Sequence, residues 1–357
     1  MLGFQKRPPI KAAKENTMQN LIQAIPVFPT SQVAAIPSGI IAPQQASPSP
    51  LIVRAGEGHY TDQGVYRGYL KLDAHTTDGT FILLDVEADL GKGVPPHVHH
   101  LEDETFYIQQ GRFQIQIGNH LYEVGPGDTL FAPRNIAHSW YCTGEEPGRL
   151  FILVTPGANF EAYMHEMTQG GQAPMNAMQD PEAIAAFMAM TEHYGMTMLP
   201  HGIEGTPERG ILSKGPFIDL GDHRGHRGVN SNDSRGTLMW LNMDVDFQGG
   251  PPPHIHWRED ETFIIHKGRF RVLLGEDIVE VGPGDIVFAP RGHAHDWQCI
   301  SEEGGHALGI ITPGENFETF ASEMDRQQLM PPTSPGAIEK LLALGDYHGI
   351  QMLPPVW

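Results

Sequence analysis

The chain has 357 residues, room for two ordinary domains, and its 40% hydrophobic and 18% charged content is that of a globular protein rather than a disordered one. A formal net charge of -20 keeps such a protein soluble and makes it a poor partner for phosphate backbones or anionic membrane surfaces, so neither nucleic acid nor membrane is expected to bind it. Two cysteines, Cys142 and Cys299, are too few for a disulfide framework, and no run of about 18 apolar residues suggests a membrane span.

Residues 1–50 read as an extended arm bearing Pro and Ser. Lys6, Arg7, Lys11 and Lys14 precede an apolar stretch from Leu21 to Ile25, but Pro26 and Pro29 end it before it reaches the roughly 7–15-residue core of a secretory signal. A cytoplasmic location is therefore expected over export. Over the whole chain, Gly 41 and Pro 30 make about a fifth of the residues, which implies many tight turns and many short strands. Residues 113–117 (Phe-Gln-Ile-Gln-Ile) alternate apolar and polar as a half-buried strand does. Gly118-Asn119 and Gly125-Pro-Gly-Asp128 are turn signals on either side of a second strand-like run. A helix is predicted over 182–192, opened by Asp180-Pro181, with a short tail from Tyr194 to Pro200.

From there the chain repeats itself. Pro95-Pro-His97-Val-His99-His-Leu-Glu-Asp-Glu104-Thr-Phe106 reappears 157 residues later as Pro252-Pro-His254-Ile-His256-Trp-Arg-Glu-Asp-Glu261-Thr-Phe263. The same offset relates Gly111 to Gly268, Gly127-Asp to Gly284-Asp, Pro133-Arg to Pro290-Arg, His138 to His295, Trp140 to Trp297 and Thr155-Pro-Gly to Thr312-Pro-Gly. A second helix is predicted over 336–344, followed by a tail like the first. The domains are accordingly placed at 51–200 and 201–357, each β-rich and each closed by a short helical segment.

On a strand, residues two apart share a face. His97 and His99 therefore point together, as do His254 and His256. Glu104 and Glu261 follow across a short turn, and His138 and His295 come from a later strand. Three imidazoles and a carboxylate in each copy suit a divalent transition metal (manganese, iron, cobalt, nickel, copper or zinc), with two sites per chain. Trp140 and Cys142 lie two and four residues after His138 and share its face if the strand is regular. Trp140, Trp297, Phe106 and Phe263 are candidate pocket walls, and Cys142 and Cys299 fit ordinary core. Met188, Met190, Met196 and Met198 are expected to pack between domains rather than to hold a soft metal.

These motifs resemble the cupin superfamily. Gly91, His97, His99, Glu104 and Gly111 match its first motif, and Gly127, Pro133 and His138 match its second. The later copy matches with His254, His256, Glu261, Gly268, Gly284, Pro290, Gly292 and His295. It has Gln248 in place of the first glycine, with Gly249 and Gly250 expected to supply the bend, while Asn135 replaces a turn glycine in the earlier copy. The resemblance covers about residues 80–157 and 237–314 and implies two tandem double-stranded β-helix barrels, commonly paired into dimers. Within the superfamily the chain looks most like the quercetinase-like bicupins, which open a flavonol ring with O2 and release carbon monoxide. That implies metal binding by the four residues of each copy, with Glu104 and Glu261 as catalytic bases and a small flavonol-like, enolisable or phenolic substrate. The alternatives are an oxalate decarboxylase or oxidase, or a metal-containing isomerase or metabolite-binding cupin without oxygenase activity.

Overall fold

The computed structural model describes residues 48–169, 181–199, 203, 211–212, 217–329 and 335–356. The arm predicted over 1–50 lies, apart from its last residues, outside this set. Each half of the chain forms an antiparallel seven-stranded sheet facing a five-stranded one. In the first half the larger sheet runs Thr129–Ala132, Asp103–Gln110, Gly148–Thr155, Ile82–Ala88, Arg67–Leu72 and His59–Asp62, with one more strand described below. The smaller runs Met196–Met198, Gly93–His99, His138–Cys142, Phe113–Ile117 and His120–Val124. The second half repeats the pattern, with Asp260–Lys267 and Gly305–Thr312 central to its large sheet and His254–His256 beside Ala294–Cys299 in its small one.

Both faces of the large sheets are buried, which explains their unbroken apolar runs. Ile82, Leu84, Phe106, Ile108 and Ile152 point into the first barrel and meet Phe113, Ile115 and Trp140 of the small sheet. Their neighbours Phe81, Leu83, Tyr107, Phe151 and Leu153 point the other way, into a core shared with Trp240, Ile286, Phe288 and Leu308 of the second barrel. The two barrels thus lie back to back through their large sheets. Alternation by one residue assigns each side chain to barrel or interface. In the small sheet, Phe113, Ile115 and Ile117 are buried between half-buried glutamines, as the sequence alternation predicts.

Two short strands cross between the halves. Leu51–Val53 joins the second barrel's sheet, pairing Leu51 with Phe288, and Ile211–Leu212 joins the first barrel's sheet, pairing Ile211 with Phe131. Arg235, from a loop of the second half, donates to Asp103 at 2.9 Å. Phe288 is fully buried, and its ring meets Phe81 across the interface at 6.3 Å. F288A is expected to cost about 3–5 kcal/mol and to unfold both barrels in one transition. Urea melts followed by fluorescence check this, and a loss below about 1 kcal/mol would contradict it.

Four helices are described: α1 (Ala158–Gln169), α2 (Pro181–His193), α3 (Glu315–Arg326) and α4 (Pro335–His348). α2 and α4 are the predicted ones, each slightly longer than expected, and α1 and α3 are additional. None is long and apolar enough to cross a membrane. Gln248 itself takes the left-handed backbone that Gly91 takes in the first copy, at φ 63° against 70°, and of the two glycines expected to supply the bend Gly250 joins it with a φ of 148°. Asn135, at φ 69°, likewise stands in for Gly292 at 83°, a conformation asparagine tolerates better than most residues.

Candidate metal centres

His97 and His99 end the strand Gly93–His99, Glu104 begins Asp103–Gln110, and His138 begins His138–Cys142. His138 lies directly opposite His97 across the ladder, and His295 opposite His254 in the second barrel. All eight side chains are buried, and within each set the ligand atoms lie within 4.8 Å of one another. In the first site Glu104 Oε2 is 3.0 Å from His138 Nε2, and Oε1 is 3.7 Å from His99 Nε2. In the second, Glu261 Oε2 is 2.9 Å from His295 Nε2 and 3.4 Å from His256 Nε2.

The outer nitrogen of every ring is committed. His97 Nδ1 donates to the Pro95 carbonyl at 2.8 Å and His138 Nδ1 to Ile136 at 2.9 Å. His254 and His295 donate to Pro252 and His293, each at 2.9 Å. His99 Nδ1 meets Glu102 at 3.3 Å and His256 Nδ1 meets Glu259 at 3.2 Å. Carbonyl and carboxylate oxygens only accept, so Nδ1 carries the proton in each neutral ring and Nε2 keeps a lone pair. His254 Nε2 and His256 Nε2 then face each other at 3.1 Å, lone pair against lone pair. A cation between them relieves that repulsion. Six imidazole lone pairs and two carboxylates, arranged as two identical sets, fit two divalent transition metals.

Glu102 and Glu259 are fully buried and were not singled out from the sequence. Asn159 Nδ2 donates to Glu102 Oε1 at 2.6 Å and to the Tyr194 carbonyl at 2.8 Å. Asn316 serves Glu259 in the same way and reaches the His348 carbonyl at 2.7 Å. The helices α1 and α3 carry these asparagines, so each one braces a ligand histidine through a glutamate. The signal was in the repeat: Glu102, Asn159 and Phe160 recur at the same offset as Glu259, Asn316 and Phe317.

In the metal-free centre burial alone would push the Glu104 carboxyl up, but His99 and His138, with His97 behind them, bring it down to about 2 when their rings take up a second proton on Nε2. Glu261 is likewise held well below the ordinary carboxylate range, its burial outweighed by His254 and His295. Burial, reinforced by neighbouring imidazoles, lowers His97 and His254. Histidines depressed in the fold bind protons more readily when unfolded, so they favour the folded state above the ordinary value of 6.5 and withdraw that support as pH falls below it. Metal-free protein is expected to lose thermal stability from about pH 6.5 downward, by up to about 1.4 kcal/mol per pH unit for each such ring. Melting curves across pH 4–8 check this, and a flat profile would contradict it.

Each centre opens into a cavity. The first, about 50 Å³, is lined by Trp140, Phe160, Tyr66, Tyr163 and Gln63 beside His97, His99 and Glu104. The second, about 110 Å³, is lined by Trp297, Phe317, Phe320, Met243 and His223 beside His254, His256 and Glu261. Trp140 and Trp297 therefore wall the cavities. Phe106 and Phe263 do not line them. Two residues along the strand from each glutamate carry these rings deeper, into fully packed core. Cys142 and Cys299 are free thiols in that same core. Met190 packs with Met167 and Phe187, and Met196 and Met198 line the first cavity, so these methionines pack within the first half rather than between domains.

The family model for the cupin domain matches residues 84–155 and again 241–311, the stretches that carry the two centres. The chain thus carries two cupin domains in tandem, a bicupin arrangement. Quercetin 2,3-dioxygenase of Bacillus subtilis is 28% identical over 118 residues, which is 33% of this chain and 34% of that enzyme. An uncharacterised protein of Methanocaldococcus jannaschii is 30% identical over 73 residues, covering 20% of this chain and 54% of the relative. The bicupin thus spans only about a third to a half of the length of these relatives. Among solved structures, an oxalate decarboxylase variant of Bacillus subtilis superposes with a TM-score of 0.52 at 15% identity, covering 86% of this chain and 90% of that one. Procruciferin, an 11S globulin from Brassica napus, does so with a TM-score of 0.51 at 11% identity, covering 75% and 85%. These likenesses carry the two-barrel fold.

Proposed function

We propose that this bicupin is a metal-dependent dioxygenase that opens the ring of a flavonol or a related enolisable or phenolic molecule with O2. The observation that carries the proposal is the pairing, in each barrel, of a buried three-histidine, one-glutamate centre with a cavity walled by tryptophan and phenylalanine. The partial likeness to quercetin 2,3-dioxygenase supports the same substrate class. His97, His99 and His138, and in the second barrel His254, His256 and His295, would hold the metal through Nε2. A transition metal so held supplies Lewis acidity toward an anionic oxygen and redox access to O2.

The protein's own part is proton transfer and enclosure. Glu104, beside the metal-holding histidines, takes the proton of the substrate hydroxyl. The O–H bond breaks, its electron pair stays on the substrate oxygen, and the carboxyl carries the proton. Glu261 repeats the role in the second site. Apolar walls exclude water from the resulting electron-rich enolate.

Oxalate chemistry is the weaker reading. A small dianion needs fixed positive charge, yet among the described residues no Lys or Arg lines the first cavity, and Arg224 at the second is already paired with Asp246 at 2.9 Å. The proposal is tested by oxygen uptake with quercetin on protein stripped and reloaded separately with manganese, iron, cobalt or nickel. Metal-dependent uptake with release of carbon monoxide is expected. Absence of uptake in fully loaded protein would remove flavonols as substrates.

A further inference from the structure

The 157-residue offset holds through the first strands of the two barrels, where Arg67 pairs with Asp89 as Arg224 pairs with Asp246. The backbone follows the same register. Gln63 N–H donates to the Tyr66 carbonyl at 2.9 Å, and Leu220 N–H donates to the His223 carbonyl at 3.0 Å. Against that constant frame the cavity walls differ. Gln63, Tyr66 and Tyr163 of the first copy become Leu220, His223 and Phe320 in the second. Val65, a buried apolar residue beside Tyr66, becomes Asp222.

These changes build a histidine–aspartate pair that the first barrel lacks. Asp222 Oδ1 accepts from His223 Nδ1 at 2.7 Å. The imidazole is 6% exposed and stands edge-on to Trp297, with ring centroids 5.3 Å apart. The chain at Asp222 runs close against Gly249, where a Cβ would lie 2.5 Å from the Asp222 carbonyl oxygen and 3.1 Å from its Cβ. Lys92 occupies that position in the first copy. With Nδ1–H committed to a carboxylate, the neutral ring presents Nε2 as an acceptor to whatever fills the cavity it lines. None of the metal ligands is needed for this contact.

We propose that the second cavity is the binding site for a hydroxylated aromatic ring, which lies among Trp297, Phe317 and Phe320 and donates a ring hydroxyl to His223 Nε2. Asp222 is the positioning residue that fixes the tautomer. The first cavity, about half the volume, takes a smaller ligand. The inference takes its substrate class from the dioxygenase reading and adds the barrel and the residue that select the substrate.

The test is anaerobic calorimetric titration of the full chain, loaded with manganese and freed of unbound metal, using two probes. Quercetin carries hydroxyls, and flavone is the same ring skeleton without them. Quercetin is expected to bind with one tight equivalent per chain. H223F and D222N are each expected to weaken it about tenfold, the loss of one well-placed hydrogen bond. Flavone affinity stays the same in all three proteins, and every protein keeps two metals. Should H223F lose its metal, H223V and H223Y replace it, the latter restoring the residue already accommodated at Tyr66. Failure of quercetin to bind, unchanged quercetin affinity in both variants, or equal weakening of quercetin and flavone would each overturn the inference. The dioxygenase reading is decided separately: His223-dependent binding without oxygen uptake would refute that reading alone, and uptake with an affinity indifferent to His223 would refute this inference alone.

Discussion

Replacing both metal-centre glutamates, E104Q/E261Q, is expected to abolish oxygen uptake while both barrels stay folded. Glutamine keeps the volume of the side chain and one oxygen able to face the imidazoles, but it cannot accept the substrate proton. The loss of a positioned base typically costs about 10²–10⁴-fold in rate. Both glutamates are buried against their histidines, so no outside base replaces them without repacking the site. Steady-state oxygen uptake, with circular dichroism as the folding control, measures this. Full activity in the folded double variant would remove the glutamates as bases. The single variants E104Q and E261Q divide the turnover between barrels, and if the ring substrate occupies the second cavity, E261Q carries the larger loss.

The second large effect concerns residues that never touch the metal or the substrate. Glu102 and Glu259 hold the Nδ1 protons of His99 and His256, and Asn159 and Asn316 hold the glutamates. E102Q/E259Q places an amide where a carboxylate accepts from both histidine and asparagine, so one of the two donors loses its partner. Disturbing such a brace typically lowers metal affinity about 10–100-fold. Competition against a chelator of known strength reads the change, and an unaltered affinity would show that the pairs serve packing alone. Asn159 and Asn316 lie on helices that follow the Thr-Pro-Gly turns, so the effect also reports how firmly α1 and α3 seat on the barrels.

The eight metal-centre residues were legible in the sequence because duplication displays them twice, with the same Gly and Pro punctuation and an unchanged offset. The half-buried strand at Phe113–Ile117 was legible from its alternation. Other features carried weaker signals. The strands Leu51–Val53 and Ile211–Leu212 are too short for any periodicity, and their exchange between halves depends on the far larger sheets they join. Helices α1 and α3 are about three turns long and follow closely on a strand, and the predicted helices were those announced by proline. Phe106 and Phe263 show the limit of a facing rule. Sharing a face with a ligand places a side chain inside the barrel, but depth along the strand decides whether it meets cavity or core. His223 and Asp222 were hidden for a different reason: comparison of repeats rewards sameness, and this pair exists only where the copies differ.

A stripped chain titrated with cobalt, read by its visible absorption and by elemental analysis after dialysis, tests the two metal centres most directly. Two equivalents per chain are expected, falling to one in H97A/H99A and to one in H254A/H256A, with the remaining centre unchanged in spectrum. Binding of fewer than one equivalent by the intact chain, or loss of both metals from either double variant while the barrels stay folded, would contradict two separate and complete sites.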